Sequence, residues 1–184
     1  MELIGLYLVA CALLVVAGTA KAFRPGETAH ALAPLVPVDE ALVRRTVRVA
    51  AVGEAALGVV AIGYPHTLLA AGVGLSYAVF AVFVAYARAR GGAIASCGCF
   101  GTPDTPATGI HIVVNLVLCL SAISVAAAGP DGSILSILSH QPWHGLPLVV
   151  ASAAGAWLTF LAVSVLAELQ AARRLTAISF RTER

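Results

Sequence analysis

Two cysteines separated by a single glycine are the residues of this chain best suited to chemistry. Cys97, Gly98 and Cys99 lie in the stretch CGCFG, and the whole chain of 184 residues has four cysteines. Gly98 permits the sharp backbone bend that a disulfide between thiols at i and i+2 requires. A disulfide in so small a ring is strained and easily reduced, which suits thiol–disulfide exchange better than structural cross-linking. The same spacing is compatible with two small unreactive cysteines, or with two thiolate ligands for Cu(I) or Zn.

Three polar residues in otherwise apolar stretches are candidates to share a site with this pair. His111 could stabilise a thiolate or carry its proton, and Asn115, one helical turn later, could orient the imidazole. Glu54 lies in an apolar stretch where a carboxylate is costly, so we expect it to accept a proton or to pair with a cation such as Arg48. A histidine at a helix start is a membrane-interface residue about as often as not, and an asparagine between packed helices more often joins the helices than takes part in catalysis.

The other two cysteines, Cys11 and Cys119, each lie near the middle of an apolar stretch. At similar depth they could form a second dithiol that passes electrons across a bilayer. The favoured interpretation is that both are small apolar residues that pack helices together.

The composition indicates a membrane protein. Sixty per cent of the residues are hydrophobic and only 11% are charged, whereas soluble domains carry about 25% charged residues. We therefore predict one multi-pass domain over residues 1–184 in the cell membrane, with the lipid bilayer around it. The few basic residues flank apolar stretches, which argues against nucleic-acid binding. No cofactor can be assigned from the sequence.

An all-α, polytopic transmembrane helical bundle is the predicted fold. A spanning helix needs roughly 20 apolar residues, and abundant Ala, Gly and Ser allow close helix packing. The first stretch could instead be a signal peptide, but it has no basic start and carries Glu2, so we expect it to be retained. Five stretches qualify as spans: residues 3–20, 47–65, 68–87, 110–128 and 146–169.

The basic residues predict the orientation of this bundle. With five spans, all eleven Lys and Arg residues fall on one side, and the loops 63–67 and 129–145 have none. Basic residues accumulate on the cytoplasmic side of membrane proteins. The N-terminus is therefore predicted to lie outside and the C-terminus in the cytoplasm.

The sequence resembles the MauE family, the methylamine-utilisation membrane proteins, which are related to DoxX-like membrane proteins. The resemblance covers most of residues 1–170 and depends on GEAALGVV with Glu54, on CGCFG, and on HIVVN with His111 and Asn115. In one respect the chain departs from the family pattern, which tends to have an arginine just before the asparagine. Val114 occupies that position here, so a role that needs a cation at this residue is in question.

The resemblance implies a membrane thiol–disulfide function, in maturation or disulfide formation of an exported protein. In the family that protein is the small subunit of methylamine dehydrogenase, and thioredoxin-like proteins are frequent companions. The implied partners are a thioredoxin-like protein or a quinone, and a thiol–disulfide oxidoreductase activity is left open. The charge pattern places Cys97 and Cys99 at the cytoplasmic face, whereas disulfide formation in exported proteins occurs outside. A re-entrant loop, an electron relay across the bilayer or a different role would each resolve this conflict. A membrane metal-transfer protein and a structural assembly factor or small transporter are the alternative functions.

Overall fold

The computed structural model of the chain is a bundle of helices. It describes residues 2–32, 38–89, 109–129, 143, 145–162 and 165. Within these ranges, five helices are long and apolar enough to cross a membrane, which confirms the predicted all-α transmembrane fold. A short helix follows the first of them. The helices are α1 (Glu2–Phe23), α2 (Pro25–Leu32), α3 (Glu40–Gly63), α4 (Thr67–Ala89), α5 (Gly109–Ala128) and α6 (Gly145–Ala162).

Local sequence signals account for several helix ends. Pro25 is the first residue of α2, a position where the missing N–H of proline costs nothing. Pro65 follows the end of α3 and prevents its continuation. His66 then caps α4, because its Nδ1 accepts a hydrogen bond of 3.2 Å from the backbone N–H of Leu68. Gly129 adopts a left-handed φ of 74° after α5, as glycines after helices commonly do.

Helices α1 and α3 pack antiparallel at very short range. A Cβ added at Gly18 would lie 2.7 Å from the carbonyl oxygen of Ala51, and one added at Gly58 would lie 2.8 Å from the carbonyl oxygen of Cys11. Only glycine fits at such backbone approaches, as expected where small residues drive association within a membrane. This register places the C-terminal part of α1 beside the first half of α3.

The other helices complete a bundle around α1. Helices α4 and α5 run antiparallel, since Arg88 at the end of α4 lies beside Gly109 at the start of α5. Helix α6 runs parallel to α1, because Gly5 faces Leu148 while Val9, further along α1, faces Gly155, further along α6. Parallel first and last spans are what an odd number of crossings requires.

The basic residues of the described helices gather at one end of the bundle, which we call the basic end. It comprises the C-terminal ends of α1 and α4 and the N-terminal ends of α3 and α5, and its cations are Lys21, Arg24, Arg44, Arg45, Arg48 and Arg88. Helix α2 packs there on α3, with Ala29 against Val43 and Val47. The predicted orientation depends on this gathering of cations at one end of the bundle. Which side of the membrane the basic end faces stays a prediction.

Candidate functional site

An ion pair between α1 and α3 is the central polar feature of the bundle. The Lys21 ammonium donates a hydrogen bond to Glu54 Oε2 at 2.5 Å. The Lys21 side chain is 6% exposed and that of Glu54 20% exposed, so solvent screens the pair only weakly. The antiparallel register set by Gly18 brings these two residues, 33 positions apart in sequence, to the same level.

Lys21 replaces the partner that the sequence suggested for Glu54. Arg48 is exposed on α3, six residues before Glu54 on the same helix, and the cation comes instead from α1. The ammonium of Lys21 also lies 4.0 Å from the ring centroid of Phe80 on α4, a favourable cation–π distance. One sequence signal could have identified Lys21 as the partner of Glu54: it is the chain's single lysine, and the ten other basic residues are arginines.

His111 and Asn115 lie together on the first turns of α5, as predicted. His111 is 2% exposed, two residues after the helix begins. The Asn115 amide Nδ2 donates a hydrogen bond of 2.6 Å to the backbone carbonyl of His111. Asn115 is therefore held against the helix by this bond rather than by the imidazole ring.

A small internal cavity connects Lys21 with these α5 residues. We call it the inner cavity; its volume is about 40 Å³, enough for roughly two water molecules. Apolar side chains of α1, α4 and α5 form most of its wall. The polar residues that line it are Lys21, Tyr77, His111, Asn115 and Thr159. Val114 lines it too, and Lys21 on α1 contributes a cation to the lining.

A second, larger cavity lies on the other side of Lys21. This lateral cavity has a volume of about 190 Å³ and is formed by α1, α2, α3 and α4. Lys21 and Glu54 form its charged end, and Phe80 and Phe83 contribute aromatic walls. Lys21 and Phe80 line both cavities and so separate the α5 residues from Glu54.

Cys97 and Cys99 lie outside the described residues. The described chain stops at Ala89 and resumes at Gly109, and both residues belong to the basic end. His111 and the Lys21–Glu54 pair lie near this same end. Glu54 follows Arg48 by six residues, which is about 9 Å along a helix. Whether the cysteines meet these polar groups stays a prediction.

Cys11 and Cys119 are both buried free thiols. They belong to the central apolar cluster of the bundle together with Leu14, Val73 and Ala122. The backbone of Cys11 contacts α3 through Gly58, whereas that of Cys119 lies near Gly74 on α4. Their surroundings are those of packing residues, in agreement with the favoured interpretation.

The arrangement can hold a positive charge and a small amount of water inside the bundle. A buried ammonium can stabilise a thiolate or a carbonyl oxygen, and an imidazole beside water can take up or release a proton. Glu54 pairs with the ammonium at a depth where a lone cation would be costly.

Comparison with known proteins identifies the family of the chain. The family model described as methylamine utilisation protein MauE matches residues 2–128. Neither the comparison with curated proteins nor that with solved structures gives a significant match. The matched range contains α1 to α5, with Glu54, His111 and Asn115, and the CGCFG stretch, whereas α6 follows it. The chain is therefore an integral membrane protein that belongs to the MauE family.

Proposed function

We propose that this protein is a membrane thiol–disulfide exchange protein whose reactive groups are Cys97 and Cys99. Three observations support the proposal: the i, i+2 spacing of the thiols, the family of the chain, and a buried polar site at the basic end. The last carries most weight. Lys21 and His111 line one water-sized cavity, and His111 lies two residues after Gly109, where the described chain resumes beyond the CGCFG stretch.

The exchange would follow ordinary thiol–disulfide chemistry. A thiolate of a partner protein attacks the Cys97–Cys99 disulfide, a partner–protein mixed disulfide forms and the second cysteine leaves as a thiolate. A second partner thiolate then attacks the mixed disulfide, so the partner gains a disulfide and both cysteines become reduced. Two electrons pass from the partner to the pair. A quinone or the disulfide of a thioredoxin-like protein must take them up again for a further cycle.

Each polar residue has a role in this proposal. His111 accepts or returns the thiol proton, and Asn115 fixes the backbone that carries His111. Lys21 stabilises the thiolate as a nearby cation, and Glu54 holds Lys21 in place. The chain tether allows contact, because Gly109 comes ten positions after Cys99 and an extended chain of that length reaches about 33 Å.

The basic end is proposed to face the cytoplasm, with the N-terminus outside and the C-terminus inside. The implied substrate, an exported protein whose disulfides form outside, would then lie across the membrane from this end. A re-entrant loop or an electron relay would connect the two sides. Topology must be measured separately from activity, because a re-entrant loop and an electron relay predict different sides of the membrane for Cys97.

Alkylation of the thiols in native membranes tests the proposal. Membranes are equilibrated with glutathione buffers of increasing oxidised fraction, and free thiols are then labelled and identified by mass spectrometry. Cys97 and Cys99 should lose reactivity together, in one two-electron transition. Cys11 and Cys119 are internal controls, because both are buried and should stay unlabelled until the protein is denatured.

The alternative functions predict other results. A metal-transfer protein would carry Cu(I) or Zn in amounts close to one ion per chain, lost when Cys97 or Cys99 is replaced by serine. A structural assembly factor would show neither bound metal nor a linked redox transition. Thiols that stay reduced across the whole range of buffers would contradict the redox proposal.

A further inference from the structure

The lateral cavity has the features of a binding site for a flat, apolar ring with hydrogen-bonding oxygens. We propose that it binds the head group of a membrane quinone, with Lys21 and Glu54 at the polar end. The inference builds on the proposed thiol–disulfide function, since it names the class of electron acceptor. Its evidence is the size, the walls, the charged end and the opening of the cavity.

The volume and the walls fit one substituted aromatic ring. The cavity measures about 190 Å³, and an apolar cavity of roughly 150 Å³ in another protein binds benzene. Phe80 and Phe83 present aromatic surfaces from α4, and Val47 and Leu32 contribute aliphatic surface from α3 and α2. Offset stacking against phenylalanine favours a planar ring over a flexible chain.

The charged end matches the oxygens of a quinone in both redox states. An ammonium group has three N–H donors, so Lys21 can hold Glu54 and a quinone carbonyl at the same time. After reduction the ring carries hydroxyl groups, and a carboxylate such as Glu54 accepts hydrogen bonds from them. An alkyl chain of a lipid would gain nothing from either group and would leave the ion pair in apolar surroundings.

The cavity is accessible from the side of the bundle. Val79 lines it from α4 and Ala50 from α3, and both residues are exposed on the outer surface of their helices. In a membrane this surface faces lipid, which is where a quinone with a long apolar tail resides. The tail would lie along the exposed apolar residues of α3 and α4, such as Val52 and Val82.

The chemistry balances without a further reagent. A dithiol transfers two electrons and two protons to the quinone; an S–S bond forms, and each quinone oxygen gains a hydrogen. With the proposed function, the dithiol is Cys97 and Cys99, and the product is a hydroquinone that returns to the lipid. Glu54 and Lys21 are suited to assist one of the proton transfers, because they would contact the quinone oxygen at the polar end of the cavity.

Binding of decylubiquinone to the full-length protein in lipid nanodiscs tests this site. Val79→Trp fills the cavity from α4 and should weaken binding by about tenfold or more. Leu120→Trp is the matched control, since Leu120 is 63% exposed and lies on α5, a helix that does not line the lateral cavity. The double variant Lys21→Met/Glu54→Leu removes the polar end without leaving a single buried charge, and should weaken binding by about tenfold.

Three results would overturn the proposal. The first is an affinity of Val79→Trp for decylubiquinone equal to that of the parent, and the second is an affinity of the double variant equal to that of the parent. The third is displacement of decylubiquinone by decanol at a similar concentration. The last would show that the cavity binds an alkyl tail rather than the ring. Exchange of Cys97 and Cys99 with oxidised glutathione is measured in Val79→Trp as well. If that exchange persists while quinone binding is unaffected by the variants, the quinone site fails and the thiol function stands.

Discussion

Removal of one charge from the Lys21–Glu54 pair should destabilise the bundle far more than removal of both. The side chains of these residues are 6% and 20% exposed, and the N–O distance is 2.5 Å. Each charge therefore depends on the other for its stabilisation inside the bundle. The informative variants are Lys21→Met, Glu54→Leu and their combination.

The magnitude follows from the cost of an unpaired buried charge. Removal of one partner of a buried pair typically costs about 3–5 kcal/mol, whereas apolar replacement of both partners is often neutral. We expect about 3 kcal/mol for Lys21→Met, because the remaining Glu54 keeps some contact with solvent, and at least as much for Glu54→Leu, because the remaining Lys21 is only 6% exposed. The double variant should lie within about 1 kcal/mol of the parent. The two single effects would then be strongly non-additive.

Unfolding of the purified protein in mixed micelles with increasing SDS, followed by circular dichroism, gives these free energies. The pair between Glu40 and Arg44 on α3 provides the control. It has the same charges, but a distance of 3.6 Å and side chains that are 59% and 52% exposed. Arg44→Met should change the free energy of unfolding by no more than about 0.5 kcal/mol. If the effects of Lys21→Met and Glu54→Leu simply add in the double variant, the two charges do not interact and the site assigned here is wrong.

Three further predictions concern packing, topology and the core. Gly18→Val should lower the free energy of unfolding by several kcal/mol because its Cβ meets the α3 backbone, whereas Gly53→Ala, with no atom near its Cβ, should raise it by up to about 1 kcal/mol in the same SDS titration. A phosphatase fusion after Gly129 should be active and one after Arg184 inactive; equal activity of both fusions would contradict five spans. Tyr77→Phe loses the 2.6 Å hydrogen bond to the carbonyl of Ala10 and should cost about 1 kcal/mol in unfolding, measured in the same SDS titration.

Hydropathy located the membrane helices well and their ends less well. The predicted span 110–128 agrees with α5, which begins at Gly109. Helix α3 begins at Glu40, seven residues before the predicted span 47–65, because arginines end an apolar stretch without ending a helix. The last predicted span, 146–169, extends beyond α6, which the structure describes to Ala162.

The site was predictable only in part. Glu54 was identifiable because a carboxylate within an apolar stretch is costly, and this cost applies whatever the fold. Its partner was not identifiable, since Lys21 comes from another helix and the contact depends on the glycine register between α1 and α3. Both cavities likewise depend on how four helices pack, which one-dimensional periodicity does not determine. The burial of His111 is a further consequence of packing.

The most direct test of the thiol–disulfide function is the capture of a mixed disulfide. Cys97→Ser and Cys99→Ser are expressed singly and together in membranes, free thiols are blocked with acid and alkylating reagent, and the proteins are separated without reductant. At least one single variant should form a covalent adduct that disappears with dithiothreitol, because its remaining thiolate attacks the disulfide of an oxidised partner and the cysteine that would resolve the mixed disulfide is missing. The double variant should form none. Adducts in neither single variant, together with full function of the double variant, would contradict a thiol–disulfide role for this protein.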